Sequence, residues 1–538
     1  MSRQRRVLVV DDLEKWRELL IETLQREGFY ANSASTVAEV FQRLEETFYH
    51  VLVLDIRLID TEPANEEGIE LLGELDRRGL IAATQVIILS AYGTPERMRL
   101  AFKDYRVADF LSKDEFTKRA FLESVQQAFS EQAPINLSLE IHWQQVNGPE
   151  QAVAHLEIDG IRVKRNPVLK KRLGLELEDL LCRLFHQAES VLVRPMTEGQ
   201  SVTGVLWAQP FYASGGGRAV VLKFGDFRVI EKEYANFKQY VQPFIGGGRN
   251  STILGTRRTP YLGGILYSLL GADSEHLEDF GSFYRRSETQ AIEEALDRLF
   301  WDTCGAWYAN ASQLQPRNLT AEYQQLLGFT PEKLKQPVSE LQRRVQGTQK
   351  LYFKDLGGER GFKNPLSVID GPPLVRSTYT CITHGDFNHH NLLVDQTGHT
   401  WLIDFLRTGR GHKLRDVAQL DAEIRFVLLT SEEATLEERL CMEERLCSIE
   451  HFSQVEELLA PLTTTNQALA RAYATVVHLR MLAGQMVGQN PDADISEYYI
   501  ALFYNAINML RFSSLPLGQR EHALLSASIL AERLGLKG

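Results

Sequence analysis

Along the first 130 residues, short apolar runs alternate with segments of helical period. The runs are VLVV (7–10), VLVL (51–54), VIIL (86–89) and ADFL (108–111). None alternates apolar with polar positions, so each predicts a strand covered on both faces, as in a parallel sheet between helix layers. After the first run, Leu13, Trp16, Leu20 and Leu24 recur at helical spacing, and 36–46, 67–78, 94–104 and 115–129 read the same way. From 131 to 190 the pattern becomes mixed. LSLEIHW alternates like a strand, VNGPE and IDG read as turns, and ELEDLLCRLFHQAE puts Leu177, Leu180, Leu181 and Leu184 on one helical face. This stretch is expected to be a solvated connector or a small docking subdomain without chemistry.

Beyond it, SVLVRPMTEGQSVTGVLWAQPFYASGGGRAVVLKFG predicts three antiparallel strands joined by the turns TEGQS and SGGGR. VIEKEYANFKQYV predicts a helix with Ile230, Tyr234, Phe237 and Val241 along its apolar stripe. TPYLGGILYSLLGA (259–272) predicts a strand, a turn and a second strand, and helical patterns dominate 286–350 and 416–538.

A chain of 538 residues exceeds one ordinary core, so two to four domains are expected. With 44% hydrophobic and 24% charged residues the composition is globular. The net charge of −12 disfavours direct nucleic-acid binding by the whole chain. Five cysteines (182, 304, 381, 441, 447) lack metal-type spacing, and the odd number argues against a disulfide framework. The start, MSRQRRVLVVDD, has too short an apolar run for a signal peptide, and no uninterrupted apolar stretch reaches membrane-spanning length. A cytoplasmic protein without a membrane span is the expectation.

Ligands of parallel sheets bind where strand carboxyl ends emerge. Asp11 and Asp12 fall there after the first run, Asp55 after VLVL, Ser90 after VIIL and Lys113 after ADFL. Three carboxylates at one edge repel unless a cation joins them, and oxygen ligands suit Mg²⁺. A lysine and a hydroxyl beside them suit a phosphoryl group on one carboxylate. Residues 5–130 resemble the receiver domain of two-component response regulators, with a flavodoxin-like (βα)5 fold. The resemblance implies Asp55 as phosphoacceptor, Asp11 and Asp12 with it as metal ligands, Ser90 as switching hydroxyl, Lys113 as phosphate partner and Phe110 as rotating aromatic. It also implies a sensor histidine kinase as phosphodonor. Two features depart from the family: Asp114 replaces the usual proline, and the loop from Asp55 to Gly68 is long.

In the region 191–272, a small turn such as Gly199-Gln200-Ser201 lets backbone N–H groups approach phosphates, although taken alone it reads first as the tip of an ordinary hairpin. Lys223 shares a strand face with Val221 and is either an edge charge or a phosphate ligand. Glu233 lies beside the helix stripe and can pair with it; Glu231 competes for that place.

The stretch THGDFNHHNLLVD crowds polar groups ahead of an apolar run. Phosphoryl transfer needs a carboxylate aimed at an acceptor hydroxyl and a metal held against the phosphates. Asp386 supplies the first, and Asn391, five residues on, offers an amide oxygen to a metal. Asp404 ends another apolar run thirteen residues later, and the turn DQTG predicts a hairpin that brings it to Asn391. His384 and Gly385 are expected to shape the loop. His389 and His390 read as exposed loop histidines. Asp416 opens a helical pattern and is either an N-cap or a brace for the loop.

HGD with Asn391, then IDF and RDVA, resembles the aminoglycoside phosphotransferase and choline kinase-like branch of the protein-kinase-like fold, across roughly 190–510. The resemblance implies a multidomain chain of α/β and α+β parts: receiver (1–130), connector (131–190), kinase-like N-lobe (191–272) and a large helical C-lobe (273–538). It implies an ATP- and Mg²⁺-dependent phosphotransferase with Asp386 as base, Asn391 and Asp404 on Mg²⁺, Lys223 on the ATP phosphates, Glu233 orienting it, Gly199 and Ser201 in the nucleotide turn, and His384 and Asp416 supporting the loop. The acceptor, a small molecule or a protein, is not readable, and Glu432, Glu433, Glu437 and Glu438 read as a solvated face. The rival expectation is a signalling scaffold whose kinase-like half binds nucleotide or partners without transfer. A transcriptional output would need a helix-turn-helix, and none is visible.

Overall fold

The computed structural model describes residues 3–58, 67–91, 103, 105, 107–131, 134–196, 203–245, 252–268, 277–328, 330–341, 343–369, 371–488 and 494–535. It divides into two compact units, Met1–Lys232 with Thr252–Leu269 and Glu233–Ser251 with Leu270–Gly538.

In the first unit the strands Arg6–Val10, Tyr30–Ala34, Val51–Leu54, Gln85–Ser90 and Asp109–Ser112 pair in parallel, in the spatial order second, first, third, fourth, fifth. That is the flavodoxin-like order, with its switch point between the first and third strands. Residues of one strand serve two apolar layers. Val7 and Val9 pack with Leu20, Leu24, Phe121 and Val125, whereas Leu8 and Val10 pack with Val40, Leu44, Leu72 and Leu75. Burial on both faces explains the unbroken apolar runs. The helix expected over 94–104 lies almost wholly outside the described residues.

A second sheet of the same unit orders Ile253–Arg258, Leu262–Ser268, Val220–Asp226, Gly204–Tyr212, Ser190–Pro195 and Glu140–Trp143, with Gly215–Gly216 paired beside Gly204–Tyr212. The three antiparallel strands expected after 190 are present. One correction concerns 259–272. Residues 259–261 form a turn between Ile253–Arg258 and Leu262–Ser268, so a single strand occupies the apolar run and its partner precedes it.

Residues 131–190 depart further from expectation. Glu140–Trp143 joins the sheet in parallel with Ser190–Pro195. The helix Pro167–Leu184, capped by Asn166 accepting from Leu169 N, buries Leu173, Leu177, Leu180 and Leu181 against Val191, Val193, Leu206 and Leu222. Its other side, Arg172, Glu176, Asp179 and Arg183, is buried as well. Arg172 pairs with Glu176 at 2.9 Å and donates to the carbonyl of Leu44; Arg183 pairs with Asp179 at 2.6 Å, and Asp179 lies 2.8 Å from His50 Nε2. Arg258, stacked on Phe227, donates to the carbonyl of Gly79 at 2.7 Å. The stretch is thus a wedge between two sheets, apolar toward one and ionic toward the other. Of the two expectations for this stretch, the solvated connector fails because the helix is buried on both sides, and a docking element describes it better.

The second unit is mostly helical. Two small antiparallel pairs, Leu392–Val394 with Thr400–Leu402 and Thr380–Thr383 with Gly409–His412, carry the HGD loop between them. Helices Arg415–Glu423, Leu436–Leu446, Gln467–Val487, Ser496–Met509 and Leu517–Arg533 follow. They share a buried ionic core: Arg425 bonds Asp421 and Glu443, and Glu443 bonds His522 and Ser526. Burial pushes His522 down to about 4, although Glu443 opposes it. Glu433 and Glu438 do more than face solvent, accepting from Thr430 N and Thr435 N. Among the described residues no helix is long and apolar enough to cross a membrane.

His50 Nδ1 accepts from Arg6 N at 3.0 Å while Nε2 faces the Asp179 carboxylate, so the neutral Nε2–H tautomer satisfies both sides. Burial lowers its pKa, with Asp179 opposing. The unfolded chain therefore takes up a proton below pH about 6.5 that the fold refuses. This contribution to stability is complete above that pH and is lost as pH falls. His50→Gln should flatten the acid side of a plot of unfolding free energy against pH, by up to about 1.4 kcal/mol per pH unit. Superimposable slopes for the two proteins would show that the imidazole takes up its proton alike in the folded and unfolded chain.

Candidate functional site

The receiver edge is built by strand ends held in register. Asp11 N donates to Ala34 O (3.2 Å), Asp55 N to Val10 O (2.9 Å) and Lys113 N to Ser90 O (3.1 Å), so these residues continue their strands to one edge. Asp11, Asp12 and Asp55 each offer an oxygen within 4.8 Å of the others. Lys113 Nζ lies 2.6 Å from both Asp11 Oδ2 and Asp55 Oδ2. Burial raises Asp11 to about 6, with Lys113 pulling it back. Burial also works against the Lys113 ammonium, but Asp55 and Asp11 outweigh it and its pKa is raised. Two of the three carboxylates share one ammonium, and an all-oxygen set at the switch point suits a hard divalent cation. Ser90 is buried, and Phe110 packs half-buried against one apolar layer. The long loop after Asp55 lies largely outside the described residues.

In the second unit the HGD loop hangs on Asp416. Its carboxylate, fully buried, accepts from His384 N (2.8 Å), Gly385 N (3.0 Å) and the Tyr308 hydroxyl (3.1 Å). Asp416 sits in the first turn of Arg415–Glu423, yet its bonds go to another segment, so brace rather than N-cap describes it. Gly385 has φ +79°, and a Cβ there would lie 2.4 Å from the Arg407 carbonyl, so only glycine fits. His384 donates from Nε2 to Ile403 O (3.0 Å), holding the loop to the segment that bears Asp404.

Backbone bonds link the segments that bear Asp386, Asn391 and Asp404. Asn391 Nδ2 donates to Asp386 O at 2.8 Å, which turns the amide oxygen away from that carbonyl. Ile403 N donates to Asn391 O at 3.1 Å, continuing the Leu392–Leu402 rung of the hairpin. Asp404 is the next residue and has φ +66°, an unusual backbone for a residue with a Cβ. Such outliers cluster at functional sites. Asp386 Oδ1 takes weak bonds from Asn388 Nδ2 (3.3 Å) and Gln419 Nε2 (3.5 Å), and Gln419 Oε1 accepts from Phe387 N.

Lys223 is buried on its strand with Val221 and Gly225, away from Leu222 and Phe224, which enter the core. Glu233 is fully buried, whereas Glu231 is half exposed and pairs with Arg258 at 2.8 Å. Gly199 and Ser201 lie outside the described residues. Contrary to expectation, His389 is not an exposed loop histidine: it is buried and bonded to Glu423. Sequence reasoning missed Gln419, which helical spacing from Asp416 would have offered, and Tyr308, a hundred residues upstream and without any local signal.

A family model described as ternary complex associated domain 9 matches residues 188–358 and 358–511, more than half of the chain. The chain belongs to that family. A response regulator receiver domain model matches residues 7–126, so the N-terminal domain is a receiver and the chain carries a two-component signalling module. Among solved structures, the chain is similar to a CheY-like receiver domain protein from Methanospirillum hungatei JF-1 (24% identity, 24% of this chain and 97% of that one, TM-score 0.21). It is also similar to a response regulator from Thermotoga maritima (23%, 24% and 100%, 0.21) and to the chemotaxis protein CheY4 of Vibrio cholerae (21%, 23% and 99%, 0.21). No curated protein matches.

A small-molecule phosphodonor with Mg²⁺ should add one phosphoryl group to the chain. Asp55→Asn should abolish the mass gain; its persistence would move the acceptor elsewhere. Asp416→Ala strands two backbone donors and a tyrosine hydroxyl in the interior at about 1–3 kcal/mol each. Denaturant unfolding should therefore show a loss above about 3 kcal/mol.

Proposed function

We propose that the second unit transfers a phosphoryl group from Mg–ATP to a hydroxyl- or amine-bearing acceptor, and that phosphorylation of Asp55 governs this output. The single observation that supports it most is the rung joining Asn391 and Ile403. It ties the backbone of the loop that carries Asp386 and Asn391 to the residue just before Asp404, which supports a shared site for their oxygens. Asn391 and Asp404 form an oxygen set suited to Mg²⁺. When bound, the metal and nucleotide supply charge neutralisation and the phosphoryl group. Asp386, with Oδ1 restrained by Asn388 and Gln419, would accept the proton of the acceptor hydroxyl as that hydroxyl's oxygen takes the phosphoryl group and ADP leaves. Asp416 keeps the loop in register. A sensor histidine kinase is the phosphodonor in this reading, and the added charge on Asp55 is the switch.

A second reading is favoured by the family's own description, ternary complex associated. In it the second unit binds partners, or nucleotide, and no transfer occurs.

Turnover of ATP against a panel of hydroxylated, aminated and protein acceptors separates the two. Asp386→Ala should cut turnover by about 10²-fold or more while retaining nucleotide affinity. Phosphodonor treatment should alter turnover in the parent and not in Asp55→Asn. Parent and Asp386→Ala equally silent, with a partner still bound, would establish the assembly reading instead.

A further inference from the structure

The two histidines of the HGD loop take no part in the chemistry above. His389 and His390 stand side by side, ring centroids 3.9 Å apart, and with Asp279 each offers a ligand atom within 4.8 Å of the others. Asp279 comes from a distant part of the chain. The two-residue strand Glu278–Asp279 pairs with Leu392–Val394, and Phe280 N donates to His389 O at 3.1 Å. Sheet pairing therefore delivers the carboxylate to the histidines.

The tautomer of His389 is fixed by its neighbour. Glu423 Oε2 lies 2.7 Å from Nδ1, and a carboxylate only accepts, so Nδ1 carries the hydrogen and Nε2 presents a lone pair. Imidazoles that bind metals are commonly oriented in this way by a carboxylate on the other nitrogen. Gly281 leaves room for the pair to meet. A Cβ there would lie 2.6 Å from His389 Cδ2 and 2.9 Å from Asp279 Oδ1. The Asp279 oxygens accept from Ser282 N and Oγ at 3.0 Å, which orients the carboxylate and leaves each oxygen a further lone pair. Arg285 lies close enough to His390 to oppose a cation electrostatically, and Asp279 and Glu423 attract one.

We propose that Asp279, His389 and His390 bind a zinc-class divalent transition ion, with Glu423 orienting His389, and that this ion clamps the HGD loop to the Glu278–Asp279 strand. Two imidazoles and one carboxylate select such an ion over Mg²⁺ or Ca²⁺, which the all-oxygen receiver edge suits. Nitrogen and oxygen ligands sit about 2.0–2.2 Å from zinc. Of the three, His390 is the exposed ligand. Glu423 ends the helix that carries Asp416, so the ion ties together the same helix and loop by a second route.

The test uses the tag-free full chain, stripped by chelator and held in excess Mg²⁺ to saturate oxygen-only sites. Calorimetric titration with Zn²⁺ should show one tight equivalent, and Co²⁺ in its place should give the intense visible absorption of a low-coordinate nitrogen-containing site. His390→Ala, at an exposed position, should weaken Zn²⁺ by 10²-fold or more, and Glu423→Gln by about 10–100-fold. Asp11→Asn and Asp386→Ala should leave the equivalent intact. Failure of phosphoryl transfer and failure of this site are thus read separately. No Zn²⁺ uptake by the parent, or unchanged affinity in both His390→Ala and Asp279→Asn, would overturn the proposal.

Discussion

The carboxylate of Asp416 has no solvent to answer to, and both of its oxygens are committed to donors on other segments. A buried anion without such donors would lose its charge or unfold its surroundings. The helix bearing it therefore docks in one place, and that place dictates the path of the HGD loop. Gly385 must then take a left-handed backbone, His384 must reach Ile403, and the hairpin that ends in Asp404 follows. Asp386 and Asn391 inherit their positions from this chain of contacts.

The same economy of buried charge recurs elsewhere. Arg425 and Glu443 knit the helices of the second unit, and Arg172, Glu176, Asp179 and Arg183 line one side of Pro167–Leu184. Such pairs add little net stability over an apolar core, but breaking one strands its partner. They make a wrong packing costly more than they make the right one strong.

Much of this was legible in the sequence where the signal was local. Unbroken apolar runs followed by Asp11, Asp55, Ser90 and Lys113 give strand ends, and parallel pairing brings those ends together. The spacing from Asp386 to Asn391, with DQTG before Asp404, fixes a loop and hairpin. What was hidden depends on contact across the chain. A charged stripe on Pro167–Leu184 looks like a wet surface until His50 and the Leu44 carbonyl are placed against it. His389 looks like a loop histidine until Glu423 is seen behind it. Hydropathy counts residues, not partners, so buried ion pairs mimic solvent-facing ones.

His50 precedes the third receiver strand and Asp55 follows it, so the four-residue strand separates them by about 16 Å of extended chain. The receiver is thus anchored at the foot of that strand while its acidic rim is at the head. A phosphodonor approaching Asp55 does not compete with the wedge helix for the same surface.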